Sequence, residues 1–170
     1  MMFPTRKLKL LSVAAALLVL GIFSAAYGQQ KTEAKPTVGQ TLYERLGGVY
    51  AIATVVDDFI ERLLVNDVLN ANPAIKAARD RVPKAGLKYR VTELISHVTG
   101  GSEKYTGRTM KEVHKHLNIN EKEWNAMAAD FKTTLDKFRV PQKEQDELFA
   151  IVGTTKADIV VGSAPQDKGK

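Results

Sequence analysis

Three histidines, His97, His114 and His116, are the side chains in this sequence that can carry a proton near neutral pH and offer a nitrogen to a metal. The chain has no cysteine, which excludes thiolate zinc sites, iron–sulfur ligation, cysteine nucleophiles and covalent c-type haem attachment. No His-x-x-x-His or Glu-x-x-His spacing occurs. His114 and His116 are two apart, about 200° around a helix, and cannot both face one ion. Asp57 and Asp58 are adjacent and point different ways, which argues against a joint acid–base role. There is no Ser-His-Asp order and no glycine-rich phosphate loop after a strand. His97 shares a face with Glu93, and His116 stands between Lys115 and Leu117, so solvent is the expected surrounding of both. His114 differs, because Met110, Val113 and Leu117 flank it at i−4, i−1 and i+3. A neutral imidazole on an apolar face is costly unless something receives it. Haem iron is one such receiver, and a satisfied core histidine is the other reading of the same pattern.

The elements that must position these groups read as helices. Val55, Val56, Phe59, Leu63 and Leu64 recur at helical spacing after Gly47-Gly48. Leu87, Val91, Leu94, Ile95 and Val98 form a second stripe over 84–99, with Pro83 at a tolerated first-turn position and Gly100-Gly101 ending the helix. Asn120 followed by Glu123 has the form of a reciprocal cap. The helix it opens carries Trp124, Met127, Ala128, Phe131, Leu135 and Phe138 on one side. Pro141 starts a last helix with Leu148, Ile151, Val152, Thr155 and Ile159 inward. No stretch alternates with period two for long. The class is all-α, with five or six helices.

The chain has 170 residues, 44% of them apolar and 26% charged, enough for one domain with a real core. Of its formal charge of +6, three units belong to Arg6, Lys7 and Lys9 in a segment without acids. Removing residues 1–28 leaves 22 basic against 19 acidic residues, +3, which argues against a nucleic-acid partner. Those first residues read as an export signal: a basic start, an apolar run of about 14 residues from Leu10 to Phe23, then Ser24-Ala25-Ala26-Tyr27-Gly28. The run is short for a spanning helix, which needs roughly 20 residues. Cleavage after Gly28 is therefore expected, with a periplasmic or secreted product and no membrane partner afterwards. Arg6 is followed by Lys7 rather than a second arginine, so export is expected to precede folding and cofactor uptake. The expected organisation is a signal over 1–28, a flexible leader over 29–40, a folded domain over 41–161 and a disordered tail over 162–170.

Four stretches resemble the truncated haemoglobins, group I in particular. Leu42-Tyr43-Glu44-Arg45-Leu46-Gly47-Gly48 is similar to the family's opening. Val55-Val56-Asp57-Asp58-Phe59-Ile60-Glu61-Arg62-Leu63-Leu64 is similar to its second helix. The run from Gly100 to His114 resembles the most diagnostic stretch, in which a Gly-Gly turn and a Tyr-Thr-Gly loop lead to Met-x-x-x-His. Val140-Pro141 followed by Leu148-Phe149-Ala150-Ile151-Val152 resembles the last helix. The resemblance implies a truncated globin-like two-over-two helical sandwich around haem b (iron protoporphyrin IX). It implies that His114 ligates the iron, with Met110, Val113, Leu117, Ile119, Trp124, Met127 and Val152 on the proximal side and floor. Phe59, Leu87, Val91 and Leu94 map to the distal side, and Arg90 to a basic position near a haem propionate.

The departures from the family bear on mechanism. Ile60 stands where the family commonly has a tyrosine that hydrogen-bonds the gas, and Val91 stands where glutamine is frequent. The connection over 72–82 is longer than the family's. An apolar distal side forgoes a hydrogen bond of roughly 1.5–3 kcal/mol, on the order of ten- to a hundredfold in affinity. The leading expectation is an exported protein that binds O2, NO or CO, with an electron donor still to be identified. Ligand binding is favoured over a dedicated enzyme; NO dioxygenation and weak peroxidase-type chemistry are the catalytic alternatives. A haem-free helical binding module or a haem carrier on the same fold are the competing classes, since fold does not dictate function.

Overall fold

The computed structural model describes residues 39–161. The expected signal and nearly all of the leader, like the tail at 162–170, lie outside them. A capping box opens the first helix: Thr41 Oγ1 accepts from the Glu44 amide and Glu44 Oε2 accepts from the Thr41 amide. That helix is α1 (Leu42–Arg45), and α2 (Gly48–Val65) follows it directly. α2 lies between two neighbours, α5 (Lys84–Val98) and α7 (Glu121–Lys137), so two of its faces are covered. The sequence stripe is therefore rotated from expectation: Ile52, Val56 and Ile60 are the residues of α2 that are fully buried, while Val55, Phe59, Leu63 and Leu64 are half-buried beside them.

The core has two clusters. Leu42, Phe131, Leu135 and Leu148 form one, and Ile52, Val56 and Ile60 the other, with Leu46, Phe59 and Ile95 packed against both. Phe59 and Phe149 each tilt against Phe131, with ring centroids 5.2 and 5.1 Å apart. An ion pair between Arg45 and Glu144, 2.9 Å, ties α1 to α8 (Gln142–Gly153) where both side chains are largely buried.

Nine helical segments occur among the described residues, against the five or six expected. The surplus comes from short pieces that carry no apolar period. α3 (Asp67–Asn70) and α4 (Pro73–Arg81) fill the long connection, each capped by the asparagine before it, Asn66 and Asn72. α6 (Met110–His114) is one turn opened by a Thr109/Glu112 capping box. α9 (Lys156–Ile159) breaks away from α8 at Thr154, so Thr155 and Ile159 do not continue the last helix as expected. Pro83 caps α5 instead of entering its first turn. The reciprocal cap of α7 forms as read, between Asn120 and Glu123. At the end of α5, Gly100 takes φ +95, and a Cβ on Gly101 would come 2.8 Å from the Ser96 carbonyl oxygen, so the turn requires both glycines.

α5 inverts the usual burial rule. Its fully buried residues are Thr92, Glu93 and Ser96, while Leu87, Val91, Leu94 and Ile95 are half-buried and Val98 is 40% exposed. Apolar side chains on a helix of a folded domain are ordinarily the covered ones.

Candidate functional site

His114 closes α6. Its helix begins at the Thr109/Glu112 box, where the Glu112 carboxylate accepts from the Thr109 amide at 2.8 Å and from its hydroxyl at 2.7 Å. The hydroxyl holds the Glu112 carboxyl below its ordinary range, so it is anionic at neutral pH. α6 buries none of its five residues fully and packs principally against α9. Beyond it, the Leu117 amide donates to the His114 carbonyl at 2.9 Å, Asn118 turns the chain at φ +50, and the Ile119 carbonyl accepts from the Val161 amide at 2.8 Å.

The imidazole lies 2.8 Å from the Met110 carbonyl oxygen through Nδ1. A carbonyl only accepts, so Nδ1 carries the proton and the lone pair of the neutral ring sits on Nε2. Nε2 has no hydrogen-bond partner among the described residues. Burial pushes the His114 pKa below the ordinary histidine value, against the opposing pull of the Met110 carbonyl. The ring is therefore neutral at pH 7, with one oriented donor lone pair. His116 is exposed, and His97 is exposed with Nδ1 3.1 Å from the Glu103 carbonyl oxygen, as solvent-facing readings of both require.

The candidate residues fall into three groups. Ile60 and Trp124 are fully buried, at 2% and 8% exposure, Ile60 in the core and Trp124 with Lys156 Nζ 6.0 Å from its ring centre. Phe59, Leu87, Val91 and Val152 are half-buried and pack against the core clusters. Leu94, Met110, Val113, Leu117, Ile119 and Met127 are half-buried and belong to neither cluster. This last group, together with the exposed Val98 at the end of α5, is apolar surface that the protein's own core does not use.

Arg90 is exposed, and Nη1 donates to Glu93 at 2.8 Å and to Thr106 at 2.6 Å, while Thr106 also donates to the second Glu93 oxygen at 3.1 Å. The guanidinium keeps the Glu93 carboxyl below its usual range, so Glu93 is charged although nearly buried. Tyr89 is 62% exposed, and the Arg90 guanidinium lies over its ring, 5.5 Å from the centre. Sequence reasoning passed over Asn72, a buried side chain that donates from Nδ2 to the Leu117 carbonyl and to Glu123, both at 2.9 Å. Its cap role was legible in Asn72-Pro73, an Asx followed by a first-turn proline; its tertiary bonds were not.

No group of three or more His, Asp or Glu side chains poised for a metal ion occurs among the described residues. A metal on His114 must then bring the rest of its coordination shell with it, as a macrocycle does. A depression of about 530 Å³ lined by Tyr50, Ala53, Thr54, Asp57, Asp58, Lys137 and Phe138 shares no residue with this set. Its acids are paired, Asp58 with Lys137 and Arg62 and Asp57 with Lys88.

The family described as "Bacterial-like globin" matches residues 41–161. The group 1 truncated haemoglobin GlbN of Synechocystis is 35% identical over 117 residues, covering 66% of this chain and 90% of that protein. That of Mycolicibacterium paratuberculosis is 26% identical over 124 residues, covering 73% and 87%. Among solved structures, the Fe(III) form of the truncated haemoglobin from Tetrahymena pyriformis superposes with a TM-score of 0.60 at 25% identity, covering 71% of this chain and 98% of that one. A 2/2 haemoglobin from Synechococcus, with covalently attached haem in the cyanomet state, gives 0.61 at 25%, with the same coverage. The fold is thus the two-on-two helical sandwich of the truncated globins.

Proposed function

The chain belongs to the bacterial-like globin family, and from that premise we propose that it is an exported b-type haem protein whose His114 Nε2 ligates the iron. The observation that carries this is the state of His114. It is neutral at physiological pH, its Nδ1–H is spent on the Met110 carbonyl, and its chain neighbours Met110, Val113 and Leu117 are half-buried and outside the core clusters. A single imidazole outside any group of three or more ligating side chains among the described residues suits a metal that would arrive in a macrocycle. When bound, haem would supply an iron at which a diatomic gas binds.

The chain's own residues set the rest. The half-buried apolar residues of α5 and those around α6 would exclude water from a flat, apolar cofactor. Burying that surface stabilises the loaded protein at about 25 cal/mol per Å². Arg90, paired with Glu93, would hold a propionate through hydrogen bonds from its remaining N–H groups. On the distal side Ile60 and Val91 offer no donor, and the Tyr89 hydroxyl is in solvent. A gas that gains negative charge on binding, as O2 does, forgoes roughly 1.5–3 kcal/mol there. CO, which gains little, is affected less, and this argues against efficient NO dioxygenation. The export signal over 1–28 supports function outside the cytoplasm with haem acquired after translocation.

The test is a haemin titration of the chain from Gln29 to Lys170, followed by reduction and exposure to CO. A Soret band saturating at one haem per chain and shifting with CO is the expected result. Absence of a stoichiometric band leaves a haem-free helical module, and rapid transfer of haem to an apo-acceptor identifies a carrier.

A further inference from the structure

α6 holds the proposed iron ligand on a single turn, and a helix this short does not sustain itself. Its start is fixed by the Thr109/Glu112 box. What fixes its end is a side chain more than forty residues upstream. Asn72 is 8% exposed and every polar capacity of its amide is used. Oδ1 accepts from the Ala74 amide at 2.9 Å and the Ile75 amide at 3.3 Å, capping α4. Nδ2 donates to the Leu117 carbonyl and to Glu123 Oε1, both at 2.9 Å. Leu117 is thereby held at both ends, since its own amide donates to the His114 carbonyl. Glu123 carries the link onward, its other oxygen accepting from the Asn120 amide at the start of α7.

The far end of α4 is bonded as well. Arg79 donates Nη1 to the Leu64 carbonyl at 3.2 Å and Nη2 to the Leu63 carbonyl, at the C-terminal end of α2, where carbonyls lack helical partners. α4 therefore spans from the helix that carries Phe59 and Ile60 to the turn that ends at His114. We propose that Asn72 is a positioning residue for His114 and that α4, in the long connection, is the brace through which it acts. The inference rests on the reading of His114 as iron ligand.

Asn72→Asp separates this role from simple capping. The aspartate keeps an acceptor for Ala74 and Ile75, but it cannot donate to Leu117 and it sets a second carboxylate against Glu123. Leu135→Ala, in the core at 1% exposure, serves as a destabilised control remote from the clamp. Haemin-loaded chains are followed by haem transfer to excess apomyoglobin and by the iron–imidazole stretching band after reduction. Asn72→Asp loses haem on the order of tenfold faster than wild type and shifts the band, as expected for the two lost Nδ2 hydrogen bonds, Asn72→Ala, which loses all four, does so at least as strongly, and Leu135→Ala leaves the band in place. An unmoved band and unchanged transfer in Asn72→Asp, or an equal band shift in Leu135→Ala, overturns the proposal. If the wild-type chain takes up no haemin, the ligand reading fails instead. Amide exchange at Leu117 in the haem-free chain then decides the brace, with exchange unaltered by Asn72→Asp counting against it.

Discussion

Replacing His114 with alanine separates the ligand reading from plain packing. The structure gives the imidazole one hydrogen bond, 2.8 Å to the Met110 carbonyl, and no bond through Nε2. Losing that bond costs the haem-free fold about 1 kcal/mol, a fall of about 4 °C in Tm for a domain of this size. The cost to haem binding is of another order. Altering only a ligand's hydrogen-bond partner lowers metal affinity roughly 10- to 100-fold, so removing the ligand lowers it further. Haemin titration at the Soret maximum gives the affinity, a far-UV melt of the unloaded chain gives the stability, and added imidazole fills the space left by the ring. The expected outcome is a small Tm change, loss of the Soret band and its partial return with imidazole. His97→Ala and His116→Ala, at exposed positions, leave the band as it is. A His114→Ala protein that binds haemin with wild-type affinity and spectrum would refute the reasoning and move the ligand to one of the other two histidines.

Three further outcomes follow from the same geometry. Because the His114 pKa is lowered in the folded chain, the unfolded state binds its proton first as pH falls below about 6.5. Stability of the unloaded chain is therefore full above that pH and declines down to the folded pKa; haem retention falls over the same acid range, and melts and Soret spectra against pH follow both. Ile60→Tyr supplies a distal hydroxyl and slows O2 release roughly ten- to a hundredfold in stopped-flow. Since Ile60 is 2% exposed, the same change costs about 1–3 kcal/mol in overpacking, and an unchanged release rate counts against a distal position for residue 60. Leu135→Ala lowers unfolding free energy by about 2–5 kcal/mol in denaturant titrations, with the gas affinity of the loaded protein unchanged.

The chain by itself determined several features that depend on short-range spacing. Helix class, the Asn120/Glu123 box and the turn at Gly100-Gly101 are set by residues within five positions of one another, where backbone geometry fixes who can meet. His114 was singled out in the same way, from Met110, Val113 and Leu117. Its tautomer follows from an i, i−4 contact but needed the structure to be seen. What only the tertiary structure decided are the pairings between distant elements. Packing of α2 between α5 and α7 chose Ile52, Val56 and Ile60 as the buried stripe. It also left the apolar stripe of α5 half-open, an inversion that hydropathy cannot report because it depends on which neighbour covers which face. Arg90, paired with Glu93 on its own helix, found Thr106 in the loop beyond it, and Asn72 found Leu117 and Glu123 across 45 and 51 residues. Such bonds depend on where helices dock, and docking is decided by the whole core rather than by any local run of sequence.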